Sequence, residues 1–330
     1  MEAWRDLLAC PACQGSLTQA WACQSCGAQY AERRGIPRLR TAPDPRTEAV
    51  RCFYEQAPFP GYPPNDSLNW LRTRAERSRF ASLLDQAIAG DARIVEIGCG
   101  TGQMSLYLAR ADRVVIGADM TSAALSLAAE ASARFGVRNA HFVETDLNQP
   151  GLRDGGFDVV YSSGVLHHTP DPRAAFRRIA RLARPGGMVV IGLYNAVARL
   201  PHRLRRAVAR MSGFRWIPFD PVLDERQQEP ERREAWLRDQ YRHPEEHRHT
   251  HGEVLSWFAE AGVDYVRAFP SALIADDGGG LFAPAPDNWG PETWLAQLGW
   301  IGSLSAEGGL FVMVGQRRAT TQTELAAVHV

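Results

Sequence analysis

One stretch limits the folds open to this chain more than any other: Arg93-Ile94-Val95-Glu96-Ile97-Gly98-Cys99-Gly100-Thr101-Gly102-Gln103. A short apolar strand ends in an acid, three glycines follow at alternate positions, and a helical pattern begins at Met104. Glycine allows a tight turn at positive φ and lets a ligand lie directly on the peptide plane. A helix N-terminus behind the turn presents N–H groups that have no intrahelical partner. The acid narrows the ligand class. A fixed carboxylate beside the glycines disfavours a pyrophosphate and suits a ligand bearing an ammonium or a sulfonium. The competing dinucleotide fingerprint, GxGxxG, wants Gly or Ala at its sixth position, where Gln103 stands.

From 91 to 195 strand and helix patterns alternate, as a doubly wound parallel sheet requires. Residues 113–119 read as a second strand ending in Asp119, about twenty residues past the glycines and so placed to accept both hydroxyls of a ribose. The alanine-rich stretch 123–135 reads as a helix stopped by Gly136. Residues 141–147 give a third strand with Asp146 and Leu147 at its end, where the chain leaves the dehydrogenase pattern.

The glycine run resembles the first motif of class I S-adenosylmethionine-dependent methyltransferases, which usually reads acid-x-Gly-x-Gly-x-Gly. A Phe157-Asp158 strand then leads to Leu166-His167-His168, Asp171-Pro172, a helix, and Arg184-Pro185-Gly186-Gly187 before the strand 188–194. That order is similar to the later motifs of small-molecule methyltransferases. The resemblance implies a seven-stranded, doubly wound Rossmann-like sheet whose last strand, 309–315, runs antiparallel. It implies S-adenosylmethionine as cofactor, with S-adenosylhomocysteine as product. Its holders would be Glu96, Gly98, Gly100, Thr101, Gly102, Gln103, Asp119, Met120, Asp146, Leu147, Ser163 and His168. In that family the acid at Asp146 bonds the adenine amino group.

Candidate catalytic groups lie outside the cofactor motifs. His167 sits past the fourth strand beside the expected methyl position and is a candidate general base. Tyr54 belongs to the aromatic run 53–62, which reads either as a linker packing its rings on the main domain or as a lid over the sulfonium and substrate. The loop 241–251 holds four histidines. It reads as a charged loop capping the next helix, as a metal site, or as active-site lining with His243 or His247 as base. The arginine-rich stretch 199–210 is a candidate basic face, against a solvated helix surface.

Four of the six cysteines form Cys10-Pro11-Ala12-Cys13 and Cys23-Gln24-Ser25-Cys26. Two facing CxxC knuckles close a tetrahedral four-sulfur zinc site; two disulfides or a redox pair are the alternatives. A segment of about forty residues builds no core of its own, and a metal would supply the folding energy. Asp6-Leu7-Leu8, Tyr30 and Gly35-Ile36-Pro37-Arg38-Leu39 resemble the small zinc-ribbon proteins that activate tRNA and rRNA methyltransferases, although Ala31 stands where that family has Pro. The division expected is therefore a zinc ribbon at 1–40, a linker with cap or lid helices at 41–90, and a methyltransferase domain at 91–330 with insertions at 196–250 and 271–305.

Lys plus Arg and Asp plus Glu are equal at 37 each, so nothing global draws the chain to nucleic acid or to a membrane. No apolar run is long enough to span a bilayer, and the start lacks the pattern of a secretion signal, so the expected place is the cytoplasm. Three functions follow: methyl transfer to a small molecule, RNA methylation with the ribbon holding RNA, or a non-catalytic scaffold that binds S-adenosylmethionine.

Overall fold

The structure is a computed structural model. It describes residues 3–42, 44–56, 58, 60–220, 223, 230–243, 245–273, 279–285, 291–304 and 309–319. Its centre is one sheet of nine strands: β1 (Glu32–Arg33), β2 (Ile36–Leu39), β3 (Arg93–Ile97), β4 (Val114–Asp119), β5 (Ala140–Thr145), β6 (Phe157–Ser163), β7 (Ala183–Tyr194), β8 (Val263–Phe269) and β9 (Leu310–Arg317). The spatial order is β1-β2-β5-β4-β3-β6-β7-β9-β8. Strands β2 to β7 pair in parallel, and β9 is antiparallel to both β7 and β8.

The expectation of seven strands is corrected to nine. The seven strands β3 to β9 form the doubly wound set, and the cysteine-rich segment adds its own hairpin to the edge. Arg38 and Leu39 of β2 pair with Glu144 and Thr145 of β5. The edge is locked by charge, since buried Glu144 accepts from Arg38 Nε at 2.8 Å and from Arg40 Nη1 at 3.2 Å. Close approach does the rest: a Cβ on Gly151 would stand 2.3 Å from the Leu39 Cβ.

Helices cover both faces. One core layer packs Leu71, Leu84, Leu106 and Leu125 from α2 (Leu68–Glu76), α3 (Arg79–Ala87), α4 (Gln103–Leu108) and α5 (Ser122–Phe135). The other packs Phe176 of α6 (Pro172–Ala180) flat against Phe258, 4.9 Å between centroids. Leu7, Leu8, Trp21 and Leu39 of the cysteine-rich segment bury in that same layer, so the segment shares the main core. Ser67 caps α2, and Ser78 caps a new start for α3 with its hydroxyl accepting from Ala81 N.

Helix α1 (Pro45–Glu55) crosses the carboxyl ends of the strands. Within the first insertion lie α7 (Leu200–Met211) and α8 (Pro230–Tyr241), followed by α9 (His251–Glu260); the second holds α10 (Pro291–Ser303). Trp289 and Gly278 lie outside the described residues. Among the described residues no helix is long and apolar enough to cross a membrane.

Candidate functional site

The chain leaves β3 toward β4 and β5 on one side and returns to β6 and β7 on the other. The strand order therefore reverses at β3, which is where open α/β sheets bind ligands. A cavity of about 250 Å³ lies there, at the carboxyl ends of β3, β4 and β6.

The glycine turn forms its floor. Gly98, Gly100 and Gly102 have φ of 72°, 52° and 77°. Their reasons differ. A Cβ on Gly98 would stand 2.2 Å from Val165 Cγ2, and one on Gly102 2.8 Å from the ring of Phe142. A Cβ on Gly100 meets nothing within 4 Å, which leaves that peptide open to the cavity.

Asp119, at the end of β4, is oriented by the turn itself. Gly100 N donates to Oδ2 at 2.8 Å, and Thr121 donates to Oδ1 through both its N–H (2.8 Å) and its hydroxyl (2.6 Å). Burial pushes its carboxyl above the ordinary range, while the Thr121 and Gly100 bonds pull it back. Oδ1 already accepts two bonds and Oδ2 one, so Oδ2 keeps a lone pair for one further donor.

Met120, Leu147, Ser163, His168 and Tyr54 line the same cavity with Gly98, Gly100 and Asp119. Other candidates lie elsewhere. Glu96 turns away beneath the turn, where Ser105 Oγ of α4 donates to it, and burial raises its carboxyl to about 8. Thr101 faces the roof: its hydroxyl donates to Pro60 O at 2.7 Å, and its carbonyl accepts from Tyr62 Oη at 2.7 Å. Gly102 and Gln103 open α4 without reaching the cavity. Asp146 accepts from Asn148 N at 2.8 Å, forming an Asx turn that brings its neighbours Thr145 and Leu147, not itself, to the wall.

The histidines separate in the same way. His167 is fully buried, stacked 3.8 Å from the Tyr194 ring, and burial holds it well below its usual pKa. His247 Nε2 lies 3.0 Å from Glu245 Oε1. His243 stands behind the wall, its ring 3.7 Å from that of His168. His168 alone of the four lines the cavity. Its Nδ1 is 2.7 Å from the Glu245 carbonyl, which can only accept, so Nδ1 carries a proton and Nε2 is the nitrogen that exchanges one. Thr250 caps α9, with His249 and His251 packed around that helix start. None of the described residues of the second insertion lines the cavity.

Spacing alone gave no sign of the roof's anchoring. Val50 and Tyr54 of α1 close the cavity from above. The next residue, Glu55, accepts from Ser122 N at 3.0 Å and Ala123 N at 3.1 Å, so α1 is clamped to the N-terminus of α5. Arg46 Nη2 donates to Glu245 Oε1 at 2.7 Å, which ties the roof to the loop that orients His168.

Cys10, Cys13, Cys23 and Cys26 bring their sulfurs within 4.8 Å of one another. The Cys10–Cys26 and Cys13–Cys23 separations, 3.7 and 3.4 Å, are far beyond a disulfide bond and close to the roughly 3.8 Å edge of a tetrahedron with 2.3 Å zinc–sulfur bonds. Backbone N–H groups of Cys26 and Ser25 point at Cys23 Sγ and help hold its thiol near 6. The donor set fits a zinc ion.

Residues 95–191 match a family described as a methyltransferase domain. An uncharacterised Synechococcus protein is 27% identical over 252 residues, covering 68% of this chain and 60% of that protein. A ubiquinone biosynthesis O-methyltransferase of Cronobacter sakazakii is 32% identical over 107 residues, covering 32% of this chain and 44% of the enzyme. The chain thus spans 60% and 44% of the length of these two relatives. An uncharacterised methyltransferase of Mycobacterium bovis is 31% identical over 150 residues, or 43% of this chain and 75% of that protein. A relative matched at that level over so much of its own length decides the family, and the chain belongs to the class I S-adenosylmethionine-dependent methyltransferases.

Proposed function

We propose that the protein transfers a methyl group from S-adenosylmethionine to a small-molecule acceptor, with a zinc ion stapling the ribbon. The observation that carries this reading is the roofed cavity at the sheet's switch point. It has the glycine turn below, Asp119 at one side, and α1 clamped overhead by Glu55. Its volume, about 250 Å³, is just below the roughly 300–1,000 Å³ common for small-ligand sites. Its lining includes the glycine turn, Asp119 and Met120, the groups assigned to the cofactor. The chain's equal numbers of acidic and basic residues favour a small acceptor over RNA. Against a scaffold role, the ribbon buries Leu7, Leu8 and Trp21 in its own chain's core.

When bound, S-adenosylmethionine supplies an electrophilic methyl group on a sulfonium. Asp119, aimed by Gly100 and Thr121, takes a ribose hydroxyl on Oδ2, which keeps a lone pair. Tyr54 and Val50 exclude water from above, and positioning in such a dry site supplies much of the acceleration. His168, whose Nδ1 already donates to the Glu245 carbonyl, accepts the proton on Nε2 when the acceptor is a hydroxyl. His167, His243 and His247 do not reach the cavity, so this reading moves the base from His167 to its neighbour.

Incubation with methyl-labelled S-adenosylmethionine and two panels, small hydroxyl, amine and thiol acceptors against total RNA, tests the reading. Label should pass to a small molecule. Label only in RNA, or in neither panel although the nucleoside binds, overturns it.

A further inference from the structure

Helix α7 is amphipathic with its apolar side turned outward. Leu200, Leu204 and Met211 fall within about 40° of one another around the helix axis. They are 43%, 72% and 89% exposed. The opposite side carries Ala209 and His202, both buried, with His202 Nε2 bonded to Gln240 O at 3.0 Å. A surface helix ordinarily shows the reverse, its apolar stripe inward. Trp216 and Phe219, just past the helix, are 61% and 87% exposed.

Charge is segregated in the same stretch. Residues 199–219 include Arg199, Arg203, Arg205, Arg206, Arg210 and Arg215 but no Asp or Glu, in a chain that is neutral overall. Buried Glu246 takes Arg199 at 3.2 Å and Arg206 at 2.7 Å. Arg203 and Arg210 form no ion pair among the described residues, and with Arg206, Arg248, His243 and the Glu246 that pairs with Arg206 and Arg248 they line a surface cavity of about 350 Å³. Ala207 lies both in that cavity's wall and beside the apolar stripe, so the two features adjoin.

We propose that α7 and the segment after it dock on an anionic membrane surface. Leu200, Leu204, Met211, Trp216 and Phe219 enter the boundary between headgroups and acyl chains, and the arginine-lined cavity takes a lipid phosphate. Overall neutrality argues against a membrane for the average surface, and this face departs from the average. A second copy of the chain fits poorly, because a two-fold contact would set arginines against arginines. RNA would engage the arginines but leave the leucine, methionine and aromatic side chains against a polar backbone. The proposal does not depend on the methyl acceptor being a small molecule.

Vesicle co-sedimentation of the full chain tests it, with phosphatidylcholine vesicles compared against vesicles containing phosphatidylglycerol. Binding should require phosphatidylglycerol and fall with salt. Leu204→Glu combined with Met211→Glu should weaken it by about tenfold or more. Arg203→Ala and Arg210→Ala should each weaken it by roughly fivefold. Unchanged melting temperatures of the variants separate these effects from misfolding. Three results overturn the proposal: no preference for the anionic vesicles, a dimer by light scattering that Met211→Glu dissolves, or tight RNA binding that the arginine substitutions abolish without any vesicle binding.

Discussion

Asp119 illustrates how a single side chain is set before any ligand arrives. Three donors from Gly100 and Thr121 aim its carboxylate, so Asp119→Ala removes a preoriented acceptor as well as a charge. The expected loss of S-adenosylmethionine affinity is about tenfold or more by calorimetry. His168→Asn tests the base: turnover of a hydroxyl acceptor should fall by roughly a hundredfold or more and the alkaline rise of its pH–rate profile should disappear, with affinity for the cofactor little changed. Glu96 makes a separate prediction about stability. Its folded carboxyl sits near 8 because it is buried, against an ordinary value of 4.5. The folded state holds this proton while the unfolded state has released it. Stability is therefore intact below the unfolded value and declines as pH rises toward 8. Glu96→Gln should flatten that decline in melting temperature, and parallel declines in the two proteins would contradict the assignment. The acid beside the glycines was legible in the sequence, but its direction was not. A strand alternates its side chains, and only the packing of α4 shows that Glu96 points at Ser105 rather than into the cavity.

Among elements, the glycine turn and helix α1 carry the site between them. Gly98→Ala would force a φ of 72° on a residue with a Cβ and drive that Cβ into Val165. Left-handed backbone and overpacking together should cost about 2–4 kcal/mol, measurable by denaturant unfolding. Strand, turn and helix were readable here because periodicity and glycine spacing are local signals. The roof was only half readable. The aromatic run 53–62 marked a segment that packs on something, but Glu55 capping α5 joins residues 67 positions apart in the chain. The histidine loop shows the same limit. Four imidazoles in 241–251 offered a base, yet their surroundings assign His249 and His251 to a helix start and keep His243 and His247 out of the cavity.

At the scale of the whole molecule, the ribbon is part of the sheet rather than an appendage. It adds β1 and β2 to the edge, pairs Leu8 with Leu152, and stacks Trp4 on His141 at 4.5 Å. Metal loss should therefore reach the main domain. We expect one zinc per chain by metal analysis; Cys13→Ser or chelation should release it and lower the melting temperature of the entire protein in a single transition. A main transition unmoved by metal removal would separate the ribbon energetically from the sheet. The sequence by itself determined the alternation of strands and helices, the glycine turn, the acid at the end of β4 and the cysteine knuckles. Each of these is written in neighbouring residues, through hydrogen-bonding period, φ preference or ligand spacing. Tertiary structure alone decided that the sheet has nine strands, that His168 rather than His167 meets the cavity, and that the apolar side of α7 faces outward. Those outcomes depend on which distant surfaces compete for the same space, and no local pattern encodes that competition.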